Sequence, residues 1–159
     1  MSTTKINNHL NYMIPQLKLV LIREEFENEI KPIRIPSDIS MYVEPMRHLA
    51  EENFVAFHLD AKMNIIGYQV VSQGTLTASL VHPREVFKSA FLSNANSIIV
   101  AHNHPAGSLS ASDEDIETTR LLIKAGKLLG VPVMDHIIVS YKGEASIREL
   151  HPSLWYEAE

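Results

Sequence analysis

The chain has 159 residues, of which 45% are hydrophobic and 21% are charged, and its formal net charge is −5. This length and apolar content predict one globular domain with its own core, and a second domain of ordinary size would not fit. The acidic balance excludes a broad phosphate-binding face, so nucleic acid is expected to bind weakly at most, through a local basic patch.

Cysteine is absent from the sequence. Disulfides, thiolate zinc sites and cysteine nucleophiles are therefore excluded, and any metal must be held by nitrogen and oxygen atoms. The N-terminal residues lack the basic region, apolar core and cleavage site of a secretory signal, and no apolar run approaches membrane-spanning length. These features predict a cytoplasmic protein that has no membrane partner.

The first half of the chain is predicted to contain a leader, one helix and a set of strands. Residues 1–35 are expected to form an N-terminal arm with a strand at 16–23 and no recognisable motif. Ser37 is the predicted N-cap of a helix that ends near Glu52 and is interrupted at Pro45. The alternating and β-branched runs that follow predict a meander of strands at residues 54–59, 65–72 and 75–81.

The second half alternates helices with strands. Pro83 is predicted to begin a helix that reaches Leu92, and Ser112 opens a second helix that ends before Gly130. The intervening and following strands are predicted at residues 97–101, 133–140 and, as a short edge strand, 146–150. This order predicts a single α/β domain with a mixed sheet and flanking helices.

A His-Asn-His-Pro sequence at residues 102–105 follows the predicted strand at 97–101. Side chains two positions apart in an extended segment point to the same face, and a proline disfavours the α region for the residue before it. His102 and His104 are therefore predicted to point the same way. Asp115 lies in the first turn of the next helix, and two imidazoles plus a carboxylate, with a fourth position for water, form the ligand set of a catalytic zinc site.

The same residues also have a plainer structural interpretation. Ser112 and Asp115 have the spacing of a capping box, and the two histidines could merely end a strand. That interpretation does not explain why two imidazoles share one face beside a carboxylate. We therefore predict a Zn²⁺ ion bound by His102, His104 and Asp115.

His-x-His-Pro, followed after ten residues by Asp115 with Ser112 three positions before it, resembles the JAMM (JAB1/MPN+) zinc metalloprotease motif. Residues 81–87, 101–107 and 135–139 resemble segments of the RadC branch of that superfamily. The resemblance implies a RadC-like JAB1/MPN domain at residues 36–159. The chain departs from the family at Ala106, where serine is usual. It also lacks the helix-hairpin-helix region of longer members, which would have implied DNA binding.

Amide hydrolysis requires a group that takes a proton from water and returns one to the leaving amine. Composition alone leaves several acidic residues open for this role: Glu51, Glu52, Glu85, Glu114 and Glu117. The resemblance implies Glu52, because the family's Glu-x-Phe pattern before the first core strand matches residues 52–54. It also implies that Ser112 donates a hydrogen bond to the oxyanion of the scissile carbonyl, with helix capping as its alternative.

Asp135 and His136 resemble a further family signature, with two roles open to them. They could support the metal ligands or the pairing of strands, or form a buried hydrogen-bonded Asp-His pair. The function predicted for the whole chain is that of a zinc-dependent metallohydrolase which cleaves a peptide, isopeptide or related amide bond in an unidentified protein or peptide. The alternative is a non-catalytic zinc-binding scaffold associated with DNA repair or metabolism.

Overall fold

The computed structural model of the chain describes residues 31–74 and 81–156. The strand predicted at 16–23 lies outside these ranges, and so do residues 75–80 of the strand predicted at 75–81. Within the described ranges, the helices are too short or too polar to form a membrane span.

One mixed sheet organises the described residues. Its strands are β1 (Asn53–Leu59), β2 (Ile65–Gln73), β3 (Ser97–Asn103), β4 (Val133–Ser140) and β5 (Gly143–Ser146). Their order across the sheet is β2-β1-β3-β4-β5. The pair β3 and β4 is parallel and the other neighbouring pairs are antiparallel. Strand β3 occupies the centre and is buried along its whole length, as its β-branched Ile-Ile-Val run predicts.

The helix predicted from Ser37 to Glu52 is wrong in its start and its length, whereas the interruption predicted at Pro45 is confirmed. A 3₁₀ turn begins at Pro36, α1 (Ser40–Val43) follows, and a second 3₁₀ turn ends at Met46. Pro36 takes the first helical position. The Asp38 carboxylate accepts hydrogen bonds from the backbone N–H groups of Arg34 and Ile35, which precede the turn. Pro45 has no N–H group to continue the helical bonding, so the segment stops one residue later.

The helices α2 (Pro83–Leu92) and α3 (Asp113–Leu129) confirm the predictions for these segments and cover one face of the sheet. Their buried side chains, among them Phe87 and Leu122, pack with Phe54 and Val100 of the sheet. The opposite face is covered by the segment around α1, whose buried residues include Ile39 and Val43. This layering confirms the predicted α/β class.

The edge strand predicted at residues 146–150 is also wrong. Strand β5 ends at Ser146, and residues 147–150 form the short helix α4 (Ile147–Leu150), followed by α5 (Ser153–Tyr156). The Ser146 side chain accepts a hydrogen bond from the Glu149 backbone N–H at 3.0 Å. A serine N-cap therefore converts the end of the strand into a helical turn.

Candidate metal centre

The central strand carries the first histidine into the site. The strand predicted to end at residue 101 extends to Asn103, so His102 lies within β3, where it is buried, and His104 follows directly after the strand. The Nε2 atoms of the two imidazoles lie 2.8 Å apart. The prediction that His102 and His104 point to the same side is confirmed.

A tight turn fixes the backbone after His104. The His104 N–H donates to the Val139 carbonyl of β4 at 2.8 Å, and the His104 carbonyl accepts from the Gly107 N–H at 2.9 Å. Gly107 has φ +87°, and a Cβ atom there would lie 2.4 Å from the Tyr141 ring. Glycine at position 107 therefore permits both the backbone conformation of this turn and its close contact with Tyr141.

The helix α3 brings the carboxylate to the imidazoles. Asp115 Oδ1 lies 3.1 Å from His102 Nε2, and Asp115 Oδ2 lies 3.5 Å from His104 Nε2. The Ser112 N–H and hydroxyl donate to Asp115 Oδ2 at 2.8 and 2.7 Å, while the Asp115 N–H donates to Ser112 Oγ at 3.1 Å. The capping box thus exists, and it orients the carboxylate that faces the histidines.

Three electron-pair donors converge at this point. His104 Nδ1 lies 3.2 Å from the Ser108 carbonyl, which can only accept, so Nδ1 carries the proton in neutral His104 and Nε2 is bare. The ligand atoms of a tetrahedral zinc with bonds of 2.0–2.1 Å lie roughly 3.3 Å apart. The two Nε2 atoms are 2.8 Å apart, and each faces a different oxygen of Asp115, at 3.1 Å for His102 and 3.5 Å for His104, so the separations lie near that value. His102, His104 and Asp115 therefore form a group that could hold a metal ion.

The electrostatics of the cluster favour a cation. Desolvation opposes ionisation of Asp115, but hydrogen bonds from the protonated forms of His102 and His104 outweigh it and hold the pKa of the carboxyl well below its usual value. The hydrogen bond to Asp115 raises the pKa of His104, although partial burial acts against it. An ionised carboxylate is thus present throughout the physiological pH range, ready to pair with positive charge.

Glu52 lies beside the imidazoles. In the antiparallel pair of β1 and β3, Phe54 is opposite His102. Glu52 directly precedes β1, at the end of the sheet where β3 leads to His104. The negative charge of Glu52 is one of the causes that raise the pKa of His104. The structure therefore brings Glu52 to the cluster, while its catalytic role stays a prediction.

Asn103 was not singled out in the sequence, yet its side chain holds the segment that carries Glu52. Pointing away from the two histidines, its Oδ1 accepts the Asn53 N–H at 2.8 Å, and its Nδ2 donates to the carbonyls of Glu51 and Leu49 at 3.0 and 3.4 Å. The only sequence signal for this contact is strand alternation, which sends the middle residue of His-x-His to the opposite face.

Asp135 and His136 do not pair through their side chains, because neighbouring residues of β4 point to opposite faces. The Asp135 carboxylate accepts from Ser146 Oγ at 2.7 and 2.9 Å and from the His136 backbone N–H. His136 Nε2 instead lies 2.7 Å from His102 Nδ1, and His136 Nδ1 lies 2.6 Å from Thr119 Oγ1. Burial lowers the pKa of His136 well below its usual value. Of the two roles left open, support of a metal ligand fits His136.

The remaining described histidines lie away from the cluster. His58 is buried on β1 with its Nε2 3.0 Å from Ser89 Oγ, and His82 is the N-cap residue of α2. His48 and His151 are exposed.

Together the fold and the site define a mixed α/β domain with a His-His-Asp cluster suited to a metal ion. The family model of the RadC-like JAB domain matches residues 33–152, and the chain belongs to that family. This confirms the resemblance read from the sequence. UPF0758 proteins of Bacillus cereus strain AH187, Bacillus anthracis strain A0248 and Bacillus thuringiensis subsp. konkukian strain 97-27 are each 44% identical to the chain over 130 residues. The match covers 81% of this chain and 57% of each relative.

Proposed function

We propose that this protein is a zinc-dependent metallohydrolase that cleaves a peptide, isopeptide or related amide bond. One observation carries the proposal: the Nε2 atoms of His102 and His104 and the carboxylate of Asp115 converge within 3.5 Å of one another. The lone pairs on these two nitrogens and this carboxylate face one another, and they repel unless a cation or a proton lies between them. A second carboxylate, Glu52, stands beside them without belonging to the cluster.

Zinc fits this donor set because it accepts imidazole nitrogen and carboxylate oxygen and leaves a fourth position open in catalytic sites. When bound, zinc supplies a Lewis acid that lowers the pKa of water to about 7 and polarises a carbonyl.

The chain itself supplies the proton transfers. Glu52 takes a proton from the attacking water, whose oxygen forms a bond to the carbonyl carbon of the substrate. As the carbon–nitrogen bond breaks, Glu52 returns that proton to the leaving amine. Ser112 donates its hydroxyl to the oxyanion, for which it must turn away from Asp115 Oδ2, the acceptor that it contacts in the free protein.

The alternative function, a zinc-binding scaffold without activity, uses the same three ligands and gives Glu52 no chemical role. The two functions therefore agree on metal content and differ at Glu52. Elemental analysis of protein purified without added metal should find one zinc per chain. An unchanged content in a His102→Ala, His104→Ala double variant would contradict the ligand assignment.

Glu52→Gln keeps the shape of the side chain and removes the base. Zinc content should stay at the wild-type value, whereas hydrolysis of a substrate found by screening ubiquitin-like isopeptides and short peptides should fall by about 10²-fold or more. Glu51→Gln is the matched control, because Glu51 is exposed and points to the other side of the strand entrance. Full activity of Glu52→Gln would exclude Glu52 as the base, and loss of zinc would make it a ligand.

A further inference from the structure

A chain of buried hydrogen bonds runs from one proposed ligand to the element that carries another. It passes from His102 Nδ1 to His136 Nε2 at 2.7 Å, from His136 Nδ1 to Thr119 Oγ1 at 2.6 Å, and from Thr119 Oγ1 to the Asp115 backbone carbonyl at 2.6 Å. His102, His136 and Thr119 are each at most 1% exposed. These three side chains are therefore shielded from bulk water, which cannot compete for their hydrogen bonds.

The direction of each hydrogen bond in this series follows from its last acceptor, the Asp115 backbone carbonyl. The Asp115 carbonyl can only accept, so the Thr119 hydroxyl uses its one hydrogen to donate to that carbonyl. Thr119 Oγ1 must then accept from His136 Nδ1–H, which leaves His136 Nε2 bare. A bare His136 Nε2 can only accept from His102 Nδ1–H, and neutral His102 then has its lone pair on Nε2.

That lone pair is the one directed at the metal cluster, since His102 Nε2 lies 2.8 Å from His104 Nε2 and 3.1 Å from Asp115 Oδ1. We propose that His136 is a positioning residue that holds His102 in the Nδ1–H tautomer and so keeps its Nε2 available to the metal. Thr119 fixes the orientation of His136 and links it to α3. The inference rests on the proposed metal site and adds residues that are not ligands.

The arrangement also holds the ligand ring in place. The Phe54 ring stacks on His102 with an interplanar angle of 9° and meets His136 edge-on at 67°. Phe54 blocks tilting of the His102 ring, and the hydrogen bond to His136 blocks rotation of the ring about χ2. Partners of this kind typically contribute 10- to 100-fold to metal affinity.

Two substitutions at His136 separate hydrogen bonding from packing. The amide of Gln reaches the position of the imidazole Nε2 and can accept from His102, whereas the shorter Asn reaches only the position of Nδ1 and Thr119. We expect His136→Asn to weaken zinc binding by about 10- to 100-fold in a chelator competition, and His136→Gln to retain most of the wild-type affinity. Equal affinities of the Asn variant and the wild type would overturn the proposal, and so would equal losses in both variants.

The tautomers can be measured in the wild-type apoprotein, where no variant has to fold. Long-range ¹H–¹⁵N correlation spectra at pH 8 should show Nδ1 protonated in both His102 and His136, and Nε2 bare in His136. A bare Nδ1 in His102, or a protonated Nε2 in His136, would overturn the proposal. Neither measurement uses hydrolysis, so failure of the hydrolase function would be recognised separately, as intact zinc affinity with no cleavage.

Discussion

Asn103 connects the segment of Glu52, the proposed base, to the strand that contains the proposed ligand His102. Its side chain bonds the backbone on both sides of Glu52 and lies on the face opposite His102 and His104. Removing it leaves the buried Asn53 N–H without that acceptor, which costs about 1–3 kcal/mol of stability. The two faces of this end of β3 thus have separate tasks: one presents a histidine of the His-His-Asp cluster, and the other holds the segment with Glu52.

Asn103→Ala should therefore lower hydrolysis while leaving the zinc content unchanged, because the ligands keep their places and Glu52 loses its support. Elemental analysis and initial rates on the same sample test this. Exposed Asn96 gives the control Asn96→Ala, for which both quantities should match the wild type. Loss of zinc from Asn103→Ala would instead mean that the contact supports the whole cluster.

At the scale of the element, the start of α3 combines a helix cap with a proposed oxyanion donor. Ser112 caps the helix and its hydroxyl contacts the Asp115 carboxylate, so a simple deletion of the hydroxyl disturbs both. Glycine is a nearly equivalent N-cap that has no hydroxyl, whereas alanine is a poor one. The pair of variants therefore separates capping from catalysis.

Ser112→Ala should lower the free energy of unfolding by about 1 kcal/mol, and Ser112→Gly by only a few tenths. Both should lose about 10²- to 10³-fold in hydrolysis if the hydroxyl stabilises the oxyanion. Urea unfolding and initial rates are the measurements. If the hydrolysis rate instead fell only with the free energy of unfolding, so that Ser112→Gly stayed near the wild type, Ser112 would have a capping role alone.

At the scale of the whole molecule, burial of His58 makes stability depend on pH. Desolvation lowers the pKa of His58 from 6.5 to about 4. As the pH falls from 6.5 to 4, the unfolded chain binds a proton at this position and the native chain does not, so the free energy of unfolding decreases. The contribution is intact above pH 6.5, and about 2–3 kcal/mol is lost by pH 4.

His58→Gln can keep the hydrogen bond to Ser89 and cannot titrate. We expect its stability to fall less than that of the wild type between pH 6.5 and 4, as measured by urea unfolding at several pH values. His48→Gln, at an exposed position, should follow the wild-type curve. If the free energy of unfolding changed with pH in the same way for His58→Gln and the wild type, His58 would be protonated equally in the native and unfolded states.

The net charge of −5 is also a property of the whole molecule. It leads us to expect only weak, sequence-independent binding to DNA, with an affinity that falls steeply as salt is raised. Fluorescence anisotropy of labelled duplexes at 50 and 200 mM salt tests this. Tight binding that persists at 200 mM, or that distinguishes one sequence from another, would reveal a DNA-binding site outside the His-His-Asp cluster.

The sequence predicts those parts of the molecule that depend on local geometry. His102, His104 and Asp115 lie in one short segment, and strand alternation, a proline and a helix start are enough to bring them together. Thr119 and His136 meet their partners through the parallel pairing of β3 with β4 and the packing of α3. Asn103 meets its partners where the end of β3 lies beside the start of β1. These long-range contacts cannot be derived from a short stretch of sequence. The errors near Pro45 and Ser146 arose where a proline or a serine cap overrode an apolar pattern.

The short distance along the chain between the ligands has a thermodynamic consequence. All three proposed ligands lie within residues 102–115, and the histidines remain two positions apart even in a denatured chain. A denatured chain of this kind retains part of its affinity for zinc, and binding to that state subtracts from the stabilisation that zinc gives the native one. The rise in melting temperature on adding zinc should therefore be smaller than the native dissociation constant alone would give.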